Sequence, residues 1–535
     1  MINYYKSLNE NAIINGVEKV NNAVKETFGP MGKCVAIKTN FGLPDITRDG
    51  ATVAKAITLK DEIENLGAEI VKSAASSTED QAGDGTTTTT ILLSEMLRQA
   101  KNKIRDGHNL NEVKDGMYFA LKEVTEYIKS HSTPVDGDLD KIHRVATISA
   151  NNNSHVGDLI VDCMKKVGVD GVITSDVGNS IEDQIEIASG FKVDRGWSSP
   201  NFITEAKEGE CVLDAPAILV VAEKLSSIPQ IQPILSNFFQ NCQGRSIMVF
   251  CDDIDDVVLT TLLINHLQGR LKCCVVKGID FGDNRKNIME DIATYTGATF
   301  VCSDFNLELS KVGIEVLGEA KKVVVSKDST IIFEGEGDPD TIKARLEILK
   351  SRLEDPKISK FEKDKFERRV ASLGGGVGII KAGGVSKTEQ ENKKATIDDA
   401  ILASKSALSE GVVTGGGLVF LRAYFNLTPP KNITDSNMIG WEIVMDSLPI
   451  IIKTISENSG KNGEVVINNI KAKKSKENFG YNAKVGTYGD LFDMGVLDSA
   501  KVLRVSLENA ISNASMIILT SCVVYEEKKK DDETL

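Results

Sequence analysis

The stretch AGDGTTTTTI, residues 82–91, sets a carboxylate between two glycines and follows it with five hydroxyls. Gly83 and Gly85 let the backbone bend freely around Asp84. The threonines open a helix whose N-terminal amides and hydroxyls can face an anion. A carboxylate beside phosphate-binding donors is what a Mg²⁺–nucleotide complex needs. The competing reading is an Asx-turn with an N-cap and packed threonines. For this stretch alone it is slightly the better of the two, because Asp-Gly turns are common. The standard phosphate motifs fail. In GPMGKC (29–34), Thr27 stands where a P-loop's first glycine belongs and Cys34 where Ser or Thr belongs. LGGGVGI does not satisfy G-x-G-x-x-G, since Ile379 takes the last position.

The elements that must carry such a site change character along the chain. Residues 1–130 read mainly as helices, at 16–28, 62–77, 91–104 and 113–128, with Leu66, Ile70, Val71 and Ala74 on one face of the second. CVAIKTNFG (34–42) reads as a strand and turn. Four short runs in the middle, AILVVA (217–222), SIMVF (246–250), CCVVK (273–277) and TFVCS (299–303), read as strands. Helical patterns at 229–239, 257–268 and 285–296 separate them, which argues an α/β layer. VVVSKDSTIIFEG (323–335) reads as a hairpin and 340–371 as a charged helical stretch. The glycine clusters at 373–384 and 414–420 suit hinges or close backbone approach. Residues 399–458 are helical again, MIILTSCVVYEE (516–527) reads as a last strand, and EEKKKDDETL as a solvated tail. Helical ends around an α/β centre suggest an insertion into a discontinuous domain.

The 535 residues are too many for one core, so roughly two to four domains are expected. Hydrophobic content of 41% and charged content of 26% are those of a soluble globular protein. A net charge of -14 disfavours nucleic acid and anionic membranes as partners. The nine cysteines are odd in number and have no C-x-x-C spacing, so they read as reduced, mostly buried thiols of a cytosol-like compartment. With five histidines and no His/Cys cluster, a zinc site is not expected. MINYYKSLNE lacks the pattern of a signal peptide, and no run reaches the length of a membrane helix.

Several long stretches occur in an order that resembles the group I chaperonins, the GroEL family. They are TFGPMGK (27–33), ITRDGATVAK (46–55), AGDGTTTTTI (82–91), ISANNN (148–153), FKVDRGWSSPNF (191–202), VVKGIDFGDNRK (275–286), DDAILASKSALSEGVVTGGG (398–417) and GYNAKVGTYGDLFDMGVLDSAKV (480–502). The resemblance runs nearly end to end. It implies a multidomain α/β chaperonin fold with a largely helical equatorial ATP-binding domain (1–131 and 410–535). An intermediate hinge domain would occupy 132–189 and 376–409, and an α/β apical domain 190–375. Pro134 and Gly411 would lie at one crossover, Gly190 and Gly375 at the other.

The same resemblance implies an ATPase with ATP, Mg²⁺ and, as a further candidate ion, K⁺. Thr27, Phe28, Gly29 and Pro30 match the loop around the phosphates, and Asp84 matches the Mg²⁺ ligand. Gly85, Thr86, Thr87 and Thr88 match its phosphate-contacting partners, and Asp49 a carboxylate near the γ-phosphate. Gly416, Asn482, Ala483, Lys484 and Asp498 match contacts to the base and ribose side of the nucleotide. Asp399 matches the carboxylate that orients the attacking water. Its neighbour Asp398 is chemically equivalent, and the spacing to GVVTGGG favours Asp399. Arg48 stands where the family usually has lysine. A planar fork does not replace a point charge without adjustment, so binding is expected to survive and turnover to differ.

The helices at 229–239 and 257–264 carry apolar stripes that, taken singly, suit burial against a sheet. The resemblance assigns Leu235, Leu259, Leu263 and Ile264, with Trp197, Ser199 and Phe202, to binding non-native polypeptides and a GroES-like lid. Trp197 lies in an irregular context that suits exposure. Asn201 and Gln232 replace apolar family residues, so a more polar groove is expected. Sevenfold rings are implied, single or double. Lys453 and Asn462 stand where the family pairs opposite charges between rings, with Lys461 and Glu464 close by. The strands at 34–38 and 516–526 are candidates for pairing between subunits, or within one. The Lys-, Asn- and Ile-rich composition points to an AT-rich genome, bacterial, organellar or viral, and the lack of a transit-peptide pattern favours the first or last, so a cytoplasmic protein with no nucleic-acid or membrane partner is expected. The alternative function is a holdase or assembly scaffold with little ATP turnover.

Overall fold

The computed structural model describes all residues except 1, 6–9, 39–43, 151, 169–170, 179, 206–208, 243, 281, 306, 354–359, 474 and 527–535. The charged tail beyond 526 therefore lies outside the described residues. The chain divides into two compact units. The first combines Met1–Val161, Val177–Glu182 and Ala382–Leu535, and the second Asp162–Asp176 and Asp183–Lys381.

The first unit is a helical body. Its helices cross closely where glycines face each other's backbone. A Cβ on Gly116, in the helix Leu110–Ser130, would lie 1.9 Å from the Asn437 carbonyl oxygen. Gly440, in the opposed helix Asp435–Ser447, stands equally close to the Val113 carbonyl. Gly16 and Gly67 do the same for the helices Glu10–Val24 and Glu62–Ala82. Close crossings let Val17, Val20, Val71, Met117 and Val444 interlock in one core. In the Glu62–Ala82 helix the buried face is Ala68, Val71, Ala74 and Ala75, while Leu66 is exposed, one position off the stripe expected for it.

The strand expected at 516–527 needs correction, and the pairing left open between subunits or within one is seen within the chain. Residues 516–519 continue the helix Ala500–Leu519, and only Val523–Glu526 is a strand. It pairs antiparallel with Ile2–Tyr5 of the same chain, and Val35–Ile37 pairs with Asp45–Thr47. Both pairings thus lie within one subunit.

The second unit holds a nine-stranded mixed sheet. Ala217–Val221, Ile247–Cys251 and Cys273–Lys277 run parallel, and nearly every residue in them is buried, as expected where both faces are covered. Gly318–Val325 and Thr330–Gly335 form the expected hairpin. TFVCS makes only a single bridge, Val301 to Val221, and is not a strand. The glycine cluster at 373–384 contains a strand, Gly376–Ala382. Gly378 is required there because a Cβ would fall 2.1 Å from Cys163 Sγ. All nine cysteines are free, six of them buried.

Asp291 is fully buried and accepts from Arg369 at 2.6 and 2.9 Å and from Arg345 at 2.8 Å, which ties the helices Asp283–Thr296, Pro339–Leu353 and Lys360–Gly374 together. Removing one partner of a buried pair leaves an uncompensated charge. Arg369→Ala is therefore expected to cost this unit about 3–5 kcal/mol, read as a shift of its urea midpoint.

Candidate functional site

The helix Glu62–Ala82 ends on Gly83 at φ +73°, and Gly85 at φ +93° caps the helix Thr86–Lys103. These two left-handed glycines place Asp84 at a helix N-terminus, where the peptide dipoles favour negative charge. Gly85 supplies no capping side chain, and a Cβ there would meet Ser506 Oγ at 2.4 Å. Asp84 Oδ2 accepts from Ser149 Oγ at 2.8 Å. Asp49 caps the helix Gly50–Ala56, accepting from Ala51 N at 3.1 Å and Thr52 N at 2.7 Å. A Cβ on Gly50 would lie 2.1 Å from Thr87 Oγ1, so the two helix starts meet.

The five threonines divide their work. Thr89 and Thr90 turn inward and donate to the Gly85 and Thr86 carbonyls at 3.1 and 3.0 Å. Thr88 is buried, while Thr86 and Thr87 keep partial exposure. Only the front of the run is open to a ligand. Thr27 is buried too, and its hydroxyl donates to the Val24 carbonyl at 2.8 Å. The loop it begins is held by Asn458 Nδ2, which donates to the Lys25 and Phe28 carbonyls, and by Arg48 Nη2, which donates to the Gly29 carbonyl at 2.5 Å. Arg48 Nε is buried without a partner, and burial lowers the guanidinium's pKa.

Asp498 lies in the short strand Leu497–Ser499, opposite Val413, and accepts from Gly416 N at 3.1 Å. Gly416 and Gly417 both have positive φ and turn the chain into the helix Leu418–Asn426. Leu491 lies against both Gly416 and Gly480, which places the hairpin Phe479–Asn482/Thr487–Asp490 beside them. Within that hairpin Asn482 Oδ1 accepts from Lys484 N, Ala483 is buried and Lys484 is exposed. Asp399 comes from the helix Lys387–Glu410. Asp398 instead faces Lys394, with Nζ at 3.6 Å.

Four carboxylates thus feel one another. Burial, then Asp84, Asp49, Glu79 and Asp398, pushes Asp399 well above the usual carboxylate range. Burial raises Asp84 against its bonds from Ser149 and Gly85, and Asp49 adds to the rise. Burial, then Asp84, pushes Asp498 up to about 6. Asp399 and Asp498 keep a little accessible surface, although protein atoms pack around them on most sides. A crowd of like charges next to an uncapped helix start and an unpartnered guanidinium nitrogen fits a ligand carrying both anionic groups and a cation. Among the described residues no three His, Cys, Asp or Glu side chains form a ready metal cage. A separate cavity of about 520 Å³, lined by Tyr127, His131, Thr414 and Arg422 among others, includes none of these carboxylates.

The second unit places the other group of expected residues. Phe202 is fully buried and edge-on to His266, so it supports its loop and offers no outer face. Trp197 is half-buried, not exposed as its context suggests, and its indole N–H donates to the Gly209 carbonyl at 3.2 Å. Ser199 is half-buried and accepts from Asn201 N. Leu235, Leu259 and Leu263 are half-buried at the edge of the core, and Ile264 is exposed. Phe239 is exposed at 41%, Val257 at 70% and Leu267 at 66%. Val257 and Leu267 were not singled out by the stripe. The signal was available: the helix Asp256–Leu267 is apolar on several faces, yet only Val258 and Leu262 are buried. Asn201 and Gln232 are exposed. In the first unit Lys453 Nζ pairs within the chain with Glu464 at 2.7 Å, and Asn462 caps the helix Gly463–Lys471.

No helix among the described residues is long and apolar enough to cross a membrane. A family model described as the TCP-1/cpn60 chaperonin family matches residues 20–528. The fold is similar to crystal structures of the chaperonin gp146 from the bacteriophage EL 2 (Pseudomonas aeruginosa), determined in the presence of ATP-BeFx. In one crystal form the TM-score is 0.71 at 20% identity, covering 98% of this chain and 99% of that one. In the other it is 0.63 at 20% identity, covering 97% and 98%.

Proposed function

We propose, from the premise that this chain belongs to the TCP-1/cpn60 chaperonin family, that it is an ATP-dependent chaperone whose turnover is carried out by the carboxylate cluster of the first unit. The observation that carries this reading is the convergence of Asp49, Asp84, Asp399 and Asp498 around the glycine-capped start of the Thr86–Lys103 helix. Mg²⁺, when bound, neutralises charge on the phosphates and is held by Asp84. The N-terminal amides of the Thr86–Lys103 helix and the Arg48 Nε receive phosphate oxygens. Asp498 accepts from the ribose side, next to Gly416 and the Asn482–Lys484 turn. Asp399 orients the attacking water and takes its proton at a carboxylate oxygen. A raised pKa suits that task, because a base is most effective when its pKa lies near the working pH. K⁺ is a second candidate ion at the phosphates.

In this reading the equatorial, intermediate and apical division proposed for the family is kept, and Ile264, Val257, Leu267 and Phe239 offer the apolar surface for non-native polypeptides. The lid, when one is used, competes for that surface. The exposed Asn201 and Gln232 make the grip weaker than an all-apolar groove would. Seven chains of 58.0 kDa make a ring of about 406 kDa. The rings are single or double, and the surface Lys453–Glu464 pair is worth too little to decide between them.

The test is phosphate release by the purified protein, with and without a chemically denatured client, alongside suppression of that client's aggregation. ATP turnover that changes with client is expected. Suppression without turnover would replace the reading by a holdase.

A further inference from the structure

Asp399 can act only if its helix is held at the right depth, and two of the contacts that hold it lie on the turn that carries Asp84. Asp399, Leu402 and Ser406 are spaced three and seven apart and share one face of the helix Lys387–Glu410. That face lies on the turn that carries Asp84. Ser406 Oγ donates to the Ala82 carbonyl at 2.7 Å, and Ser406 is only 4% exposed. Leu402 lies directly over Gly83: a Cβ on Gly83 would be 2.1 Å from Leu402 Cβ and 2.9 Å from its Cγ. The glycine is thus needed for its left-handed turn and also for the room it leaves to Leu402. Leu402 is itself 40% exposed, so it adds little to the core.

We propose that Ser406 and Leu402 are positioning residues which seat the Asp399 helix on the Ala82–Gly83 turn, and that this seat sets how closely the Asp399 carboxylate faces Asp84 and Asp49. The inference rests on the reading of Asp399 as the water-orienting group. It adds to that reading two residues that touch neither nucleotide nor water. The seat is the part of the helix's hold that lies nearest Asp399; elsewhere the same helix buries Ile397, Ala400, Ile401 and Ala407, and Arg504 donates to Glu410 at 3.0 and 2.6 Å.

Steady-state ATPase kinetics, equilibrium binding of a fluorescent ATP analogue and thermal melting would be measured for wild type, Ser406→Ala, Leu402→Ala, the double variant and Leu402→Met. Hydrogen exchange over residues 395–410 would be followed in parallel. Each alanine variant is expected to lower kcat about 3- to 10-fold, the worth of one hydrogen bond or a partly buried side chain. The double variant should lose about 10- to 100-fold, with KM and analogue affinity within about twofold of wild type. Leu402→Met should keep wild-type turnover, because it conserves volume. Exchange over 395–410 should quicken in the double variant, with melting little changed. Wild-type kcat and wild-type exchange in the double variant would overturn the seat alone. Loss of kcat together with analogue affinity and melting temperature would also overturn it, by showing a general structural role. A wild-type chain with no turnover, or Asp399→Ala with full turnover, would sink the Asp399 reading and the seat with it.

Discussion

Asp399→Asn is expected to lower ATP turnover by about 10²–10⁴-fold, the range for loss of a positioned acid–base group. Nucleotide affinity should stay within about twofold, since in the proposed mechanism the residue orients water and does not contact the bound phosphates. Single-turnover kinetics beside equilibrium binding would check both. The same variant should melt at a higher temperature than wild type without nucleotide. Asp399 is disfavoured as an anion by burial and by Asp84, Asp49, Glu79 and Asp398, and the amide removes that charge at nearly constant volume. Activity lost and stability gained in one substitution is the signature of a strained functional group. Turnover near the wild-type level would move the catalytic role elsewhere in the cluster.

Asp498→Asn is expected to flatten the pH dependence of stability in the nucleotide-free protein. Asp498 is pushed up to about 6, by burial first and then by Asp84, against the N–H groups of Gly416 and Gly417. An unfolded aspartate titrates at about 3.9. The folded state therefore binds this proton more tightly. The stability it contributes is complete below about pH 4 and is lost as pH rises through about 6. A two-unit shift sets an upper bound of about 3 kcal/mol, less where Asp84 shares the titration. Wild type minus variant is the readout, because Asp84 and Asp399 contribute with the same sign and the ion-paired Glu410 and Glu319 with the opposite one. Urea midpoints at about pH 5 and about pH 7 would measure it. An unchanged slope would mean that the carboxylate is already neutralised in the folded protein.

Much of this arrangement is legible in the sequence, and the failures have physical causes. The parallel strands at 217–221, 247–251 and 273–277 are apolar throughout, as strands covered on both faces must be. TFVCS has the same composition, but composition reports burial and not pairing, and Val301 is packed without joining a ladder. At 516–519 a β-branched run stays helical because the helix Ala500–Leu519 already buries its face against the core, with Ile517 as its last buried residue. Phe202 shows the limit of transferring a surface role by position, since an aromatic ring in a loop can point either way. The turn at Asp84 is legible from its glycines, whose conformations are a backbone demand written directly in residue type, while its role comes from the resemblance. Ser149 and Ser406 are not legible, because a serine's partner is set by tertiary approach over 65 and 324 positions. Asp398 and Asp399 are chemically equivalent in the sequence, where only the spacing to GVVTGGG favours Asp399; the helix phase gives Asp398 Lys394 and Asp399 the cluster.

The helical unit is built from both ends of the chain, and this gives it a history during synthesis that the sheet unit does not share. The run Asp183–Lys381 holds nearly all of the sheet unit and can close as soon as it is made. The helix Leu110–Ser130 must wait for its partner Asp435–Ser447, and the strand Ile2–Tyr5 for Val523–Glu526. At roughly 5–20 residues per second, the insert of about 220 residues alone occupies the ribosome for about 10–45 s. Through that interval Val113, Met117, Ala120 and Val124 have no cover from the far end of the chain. The newborn N-terminal third is therefore an apolar, unfinished polypeptide, and until its own C-terminus arrives it needs the protection from aggregation that the finished protein would give to others.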